Sequence, residues 1–334
     1  MSLFGARRHA GPAPLSAEGH LPGFDGATAW LNSAALTPPD LRGQVVLIDF
    51  WTFTCINWIR TAPYLRAWNE KYREHGLTVI GVHTPEFPFE TDIDSIRAAI
   101  KERLIAYTVA VDSDYAIWTA FANRYWPALY IADAQGTIRF HHFGEGRYEE
   151  TERVIQQLLD VPRSLKDNLV VVEANGVEAP ADWAALESPE TYLGFERAER
   201  FASPGGASWQ QNQTYSTPAR LRLNQWALSG DWTIGGKAAR LNEADGRLSY
   251  RFRARDVHLV MGPAERGEPF RFRVRIDGDP PSAARGVDLD DRGEGTAANR
   301  RLYQLVRQPG AVDEHTFEIT FLEPGAEAYV FTFG

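Results

Sequence analysis

The segment from Val45 to Pro63 limits what this chain can fold into more than any other, because it joins an unbroken apolar run to a lone cysteine and then to a helical pattern. Val45-Val46-Leu47-Ile48 and Phe50-Trp51 are apolar and rich in β-branched residues, which predicts a central strand buried on both faces of a parallel or mixed sheet. Asp49 alone interrupts the run. A carboxylate there is costly unless paired or protonated, so desolvation is expected to raise its pKa and leave it able to exchange a proton. Cys55, the only cysteine, follows four residues after the strand. Beyond it Leu65, Trp68 and Tyr72 recur at helical steps. Cys55 is thereby placed at a helix N-terminus, where free N–H groups and the macrodipole favour thiolate over thiol.

The spacing of Asp49, Phe50, Trp51, Cys55 and Pro63 resembles the thioredoxin active-site segment. There a buried acid lies six positions before the nucleophilic cysteine, Phe-Trp five and four before, and a helix-kinking proline eight after. The longer string Asp49-Phe50-Trp51-Thr52-Phe53-Thr54-Cys55-Ile56-Asn57 is similar to the C-terminal thioredoxin-like region of DipZ-type proteins, within the TlpA-like, redoxin branch. One position departs from the pattern: Trp58 stands where dithiol members carry the resolving cysteine. An internal disulfide between neighbouring cysteines is therefore excluded. The resemblance implies an α/β thioredoxin-like domain with Cys55 as nucleophile and Asp49 as its proton acceptor and donor. It also implies Trp51, Thr54 and Trp58 as substrate-binding positions.

Composition sets outer limits. At 334 residues the chain exceeds the usual size of one core, and two domains are expected. Hydrophobic residues at 44% and charged residues at 24% are those of an ordinary soluble globular protein. A net charge of -9 argues against nucleic acid as a partner, since a phosphate footprint needs a basic surface. One cysteine provides no disulfide framework, which suits a reducing compartment. Residues 1–20 are rich in Gly, Pro, Ala and Ser, and Arg7 and Arg8 are followed by no apolar core. They read as a flexible tail, neither secretory signal nor membrane span, so a cytoplasmic location is expected. The family resemblance suggests an extracytoplasmic location as the alternative.

Within the first domain, residues 21–160, Leu77 to Val82 predicts a second buried strand ending in the irregular loop His83-Thr84-Pro85-Glu86-Phe87-Pro88. Loops at the carboxyl ends of parallel strands collect ligands. His83 reads either as a loop-capping residue or as a support for redox chemistry, and the resemblance makes Glu86 an acid near the thiol. Residues 92–104 predict an amphipathic helix with Ile93, Ile96, Ile100 and Leu104 on one stripe. Tyr107 to Val111 then predicts a strand, followed by a helix through Ile117, Trp118 and Phe121. This insertion separates TlpA-like chains from minimal thioredoxin. Trp126 and Pro127 match, by order, the cis-proline loop that packs beside the cysteine in thioredoxin-like proteins, and they complete the expected substrate-binding set. A strand–turn–strand and a helix from Glu149 to Leu159 close the domain. His141 and His142 are adjacent on a strand and point to opposite faces, so no metal site, and no cofactor, is expected.

Residues 161–187 read as a linker with a short strand at Leu169 to Val172. From 188 to 334 the texture changes. Leu248 to Arg253, Phe270 to Ile276, His315 to Phe321 and Tyr329 to Phe333 alternate between apolar and polar, with turn signals between them. This predicts an antiparallel β-sandwich, jelly-roll-like, resembling the carbohydrate-binding-module-like domain of DipZ-type C-terminal regions. Trp209, Tyr215, Trp226 and Trp232 are either core or a stacking platform for a carbohydrate ligand.

Three functions follow from one thiol. The first is a thiol oxidoreductase that forms a mixed disulfide or sulfenic acid at Cys55 and is reduced by an external thiol or protein reductase. The second is a one-cysteine peroxidase of the alkyl hydroperoxide reductase type. Thr52, three residues before Cys55, matches its Thr-x-x-Cys pattern, although Ile48 stands where that pattern has proline. The third is a non-catalytic binding protein that keeps the peptide groove beside Pro127, a reading favoured by the bulk of Trp58.

Overall fold

The computed structural model describes residues 15–264 and 268–334. They divide into two units: residues up to 52 with 61–172, and residues 53–60 with 173–334. The expected tail over 1–20 lies outside the described residues up to position 14; its last two residues, Gly19–His20, form strand β1. Among the described residues no helix is long and apolar enough to cross a membrane.

The thioredoxin-like part contains β2 (Ala29–Leu31), β3 (Val45–Trp51), α1 (Ile56–Tyr72), β4 (Leu77–His83), α2 (Ile93–Glu102) and β5 (Thr108–Val111). It continues with α3 (Ala116–Ala120), β6 (Ala128–Ala132), β7 (Thr137–Phe143), α4 (Tyr148–Leu158) and α5 (Arg163–Lys166). The sheet order is β1-β7-β6-β3-β4-β5-β2, with β3, β4 and β5 parallel and the other pairs antiparallel. The sheet is mixed, and β3 is its middle strand, buried at every position as its apolar run requires. Val46, Ile48 and Phe50 face one cluster with Ile80, Val82, Ile117, Phe121 and Tyr130. Full burial of a side chain such as Phe50 contributes roughly 2–3 kcal/mol. Because side chains alternate, Leu47, Asp49 and Trp51 point to the opposite face.

Two local expectations change. The helix predicted over 92–104 begins as expected, with the Asp92 side chain accepting the Ser95 N–H at 3.0 Å, but it stops at Glu102. Leu104 adopts a left-handed φ of 53° and leaves the apolar stripe, while the Ile105 N–H returns to the Ile100 carbonyl at 2.9 Å. The strand predicted at Leu169 to Val172 does not form. The Val170 N–H instead donates to Glu152 Oε2 at 2.8 Å, so a side chain takes the bond a neighbouring strand would have made.

The C-terminal unit is antiparallel throughout its strand ladders. Its strands are β8 (Thr191–Tyr192), β9 (Asn212–Tyr215), β10 (Trp226–Ile234), β11 (Ala239–Leu241), β12 (Gly246–Arg253) and β13 (Asp256–Pro263). Then come β14 (Phe270–Ile276), β15 (Glu294–Ala297), β16 (Arg301–Arg307), β17 (Glu314–Phe321) and β18 (Ala326–Phe333). Residues 226–229 of β10 pair with β12, and residues 232–234 pair with β11, so one strand serves two sheets. Gly230, at φ 97°, stands where it passes from one to the other; a left-handed φ there suits glycine. The orders β15-β14-β17-β12-β10 and β10-β11-β18-β13-β16 enclose Trp226, Trp232, Leu248, Tyr250, Phe272, Phe317 and Phe331. Of the four aromatics weighed as a sugar platform, Trp226, Trp232 and Tyr215 belong to this core, and Trp209 is exposed.

Candidate functional site

Cys55 occupies the hand-over from strand to helix. β3 ends at Trp51, α1 starts at Ile56, and the Cys55 carbonyl accepts the Ile59 N–H at 2.9 Å, which closes the first turn. That turn holds no acidic side chain, so nothing in it opposes negative charge at the helix N-terminus. Cys55 is half-buried. Pro63 lies inside α1, where it supplies no N–H to the turn before it.

Asp49 is fully buried in β3. The ladder sets it opposite Gly81 on β4 and Leu129 on β6. Phe50 pairs with Ala128, so the Trp126–Pro127 bond, which is cis, comes immediately before the part of β6 that borders the end of β3. Pro127 precedes its strand and costs the ladder no donor.

The carboxyl ends of β3, β4 and β5 are tied together. The Thr84 N–H donates to the Trp51 carbonyl at 3.0 Å, and the Thr84 hydroxyl donates to Asp112 at 3.0 Å. The Trp126 indole N–H donates to the Thr84 carbonyl at 3.0 Å, and its ring lies 4.2 Å from that of Trp118. Asp112 also accepts the Ile117 and Trp118 N–H groups at 2.9 and 2.8 Å. Burial pushes its carboxyl above the usual range, against the pull of these donors.

The other expected residues sort by exposure. Trp51, Thr54 and Trp58 are buried and offer no surface in this structure, whereas Trp126 is half-buried. His83 is fully buried, and burial lowers its pKa to about 3, so it is neutral near pH 7. Glu86 is half-buried, and its N–H donates to the fully buried Glu90 at 2.6 Å. Glu90 also accepts the Phe87 N–H at 2.8 Å, so the buried acid of this loop is a backbone cap. Asp49, Trp51 and His83 share one sheet face; Thr84, Asp112 and Trp126 are hydrogen-bonded at the sheet end, with Pro127 following Trp126 just before β6; Glu86 belongs to the loop beyond.

Sequence reasoning passed over Asp112, Glu90 and Tyr107. Gly81 was the available signal for the last of these, because a glycine inside an apolar strand marks a close approach. Nothing in the residues around Asp112 distinguishes it from a turn aspartate.

Residues 21–141 match the AhpC/TSA family, and residues 188–334 match the family described as thioredoxin-like C-terminal domain. The chain is 38% identical over 257 residues to protein DipZ of Mycobacterium bovis, covering 75% of this chain and 36% of that protein. It thus spans about a third of the length of the DipZ relatives it matches. It is 30% identical over 139 residues to the thiol-disulfide oxidoreductase YkuV of Bacillus subtilis, covering 42% of this chain and 93% of that protein. A solution structure of a thioredoxin-like protein in the oxidised form matches at 31% identity and a TM-score of 0.40, covering 42% of this chain and 95% of that one.

Proposed function

Because the chain belongs to the thioredoxin-like family of thiol-disulfide oxidoreductases, as a DipZ-like member of its TlpA/redoxin branch, we propose that it exchanges disulfides through the single sulfur of Cys55. One observation carries this reading: the only cysteine stands, half-buried, at the head of a 17-residue helix whose first turn has no acid. The N–H groups of that first turn and the macrodipole stabilise a thiolate, the attacking form.

The Cys55 thiolate attacks one sulfur of a substrate disulfide. A new S–S bond forms, the old one breaks, and the other half leaves as a thiolate that takes a proton from Asp49. With Trp58 at the second position, no neighbouring sulfur attacks the mixed disulfide. An external thiol, small or on a protein reductase, does so: its proton passes to the Asp49 carboxylate, its sulfur bonds to the substrate sulfur and leaves as the new disulfide, and the Cys55 sulfur departs as thiolate. Trp126 and Pro127 are the positions we assign to the substrate backbone. The AhpC/TSA match and Thr52, three residues before Cys55, favour peroxide reduction as a second reading.

Incubation with oxidised glutathione, followed by intact-mass analysis, tests the proposal. One glutathionyl adduct is expected, lost on adding reduced glutathione and absent in Cys55→Ser. Catalytic loss of hydrogen peroxide with a thiol reductant selects the peroxidase instead. No adduct and no peroxide loss leaves neither.

A further inference from the structure

Tyr107 has no place in the mechanism above, yet its setting is unusual. It stands just before β5, and its ring comes to the sheet face that carries Asp49 and Trp51. The residue is buried, and its hydroxyl makes no hydrogen bond among the described residues. Leaving such a group without a partner costs about 1–3 kcal/mol, so it calls for a use in another state of the site.

The ring reaches Asp49's neighbourhood because position 81 is glycine. A Cβ on Gly81 would stand 3.1 Å from Tyr107 Cε2 and 2.9 Å from Trp51 Nε1. Gly81 is the residue paired with Asp49 in the parallel β3–β4 ladder. The space beside the acid on β4 is therefore given to the phenol and the indole. The hydroxyl also feels the acid: burial first, and the Asp49 charge next, push the Tyr107 pKa well above its usual value, with Arg66 of α1 opposing. Gly81 brings no charge from β4, and His83, two residues on, is neutral with its pKa lowered to about 3.

We propose that Tyr107 is a positioning residue for Asp49: its hydroxyl donates to the ionised carboxylate, directly or through one water, and gives up that bond when the acid is protonated. This rests on the reading that Cys55 carries out disulfide exchange. In that cycle Asp49 gives its proton to the departing thiolate and is left as a buried carboxylate, the state that most needs a donor. Hydrogen bonding to the charged form favours it, so the phenol makes Asp49 a stronger acid at the moment the leaving group needs a proton. No new covalent bond and no further reagent is involved.

The test is a 13C NMR titration of the Asp49 carboxyl in the full chain, unsubstituted and Tyr107→Phe. Tyr107→Phe keeps the ring and its packing and removes only the hydroxyl, so a purely structural role leaves the midpoint unmoved. The expected result is a rise of about one pH unit, with the acid limb of the exchange rate at Cys55 shifting in the same direction. An unchanged midpoint in a folded variant overturns the proposal. A second measurement needs no substitution: the Tyr107 hydroxyl proton should give a protected downfield 1H resonance that vanishes as Asp49 is protonated, and its absence at high pH overturns the proposal as well. Alkylation of Cys55 against pH in the unsubstituted chain separates the two readings. An ordinary thiol midpoint there removes the redox reading and with it the catalytic purpose of Tyr107, whereas a lowered midpoint with no Tyr107→Phe effect removes the Tyr107 proposal alone.

Discussion

The imidazole of His83 stands edge-on to the indole of Trp51, with ring centroids 4.7 Å apart and planes at 86°. Both are fully buried on paired positions of β3 and β4. Burial lowers the His83 pKa from 6.5 to about 3, so the unfolded chain binds a proton through that interval and the folded one does not. Stability must then fall as the pH is lowered from 6.5 toward 3, by about 1.4 kcal/mol per pH unit for this one group. Replacing it by phenylalanine keeps an aromatic edge against Trp51 and removes the titration. His83→Phe is expected to flatten the acid limb of urea unfolding followed by tryptophan fluorescence. An unaltered slope would mean that His83 is charged in the folded protein.

The central strand, the helix after Cys55 and the cis-proline loop were legible because each has a local cause: an apolar run, a 3.6-residue period, an X-Pro bond before a strand. Leu104 was misplaced because periodicity carries no stop signal, and only the left-handed turn at that residue ends the stripe. The segment around Val170 read as a strand because its partner, Glu152, lies eighteen residues earlier on a helix, beyond any local window. In the C-terminal unit the alternating strands were visible, but β13 is buried at all eight positions and carries Asp256 and His258 inside. Period-two reasoning looks for one wet face and misses a strand that has none. The places of Asp49 inside the strand and of Cys55 ahead of the helix could be read from spacing, whereas the approach of Tyr107 depends on what the missing Cβ of Gly81 admits.

Glu152 joins α4 to α1 and to the chain beyond it. Its Oε1 accepts from the Tyr72 hydroxyl at 2.6 Å and from Lys71 Nζ at 2.8 Å, and its Oε2 holds the Val170 N–H at 2.8 Å. The carboxylate is buried, so removing it takes from Tyr72 the acceptor of its hydroxyl, leaving it with Gln156 at 2.9 Å and with Lys71, and leaves a half-buried ammonium without its counter-charge. Glu152→Ala should cost about 3 kcal/mol and speed amide exchange at Val170. Glu152→Gln, which retains an acceptor, should lose less. Hydrogen exchange read by mass spectrometry on peptides spanning 163–175 checks this, and unchanged protection in Glu152→Ala would show that other contacts hold the segment.

Asp256 poses the same question in the C-terminal unit with the signs reversed. It is fully buried at the start of β13, where Arg307 meets it at 2.6 and 3.1 Å and Arg255 at 2.6 and 3.0 Å. Burial alone would raise its pKa, but Arg307 and then Arg255 outweigh that and hold it below its ordinary value of 3.8. A carboxyl depressed in the folded state contributes stability that is present above its unfolded pKa and is lost as the pH falls through the folded one. Arg307→Met removes the stronger donor and should cost about 2–3 kcal/mol at pH 7, less than for a wholly sealed pair because the guanidinium is partly exposed. It should also move the acid loss to higher pH, since Asp256 would then protonate more readily. Asp256→Asn combined with Arg307→Met removes the buried charge together with its partner, and should recover part of the single variant's loss. Urea midpoints at pH 7 and pH 4 for Arg307→Met, Asp256→Asn and the double variant decide it: additive losses would show that the two residues do not act on each other, and the low pKa of Asp256 would then have to come from Arg255.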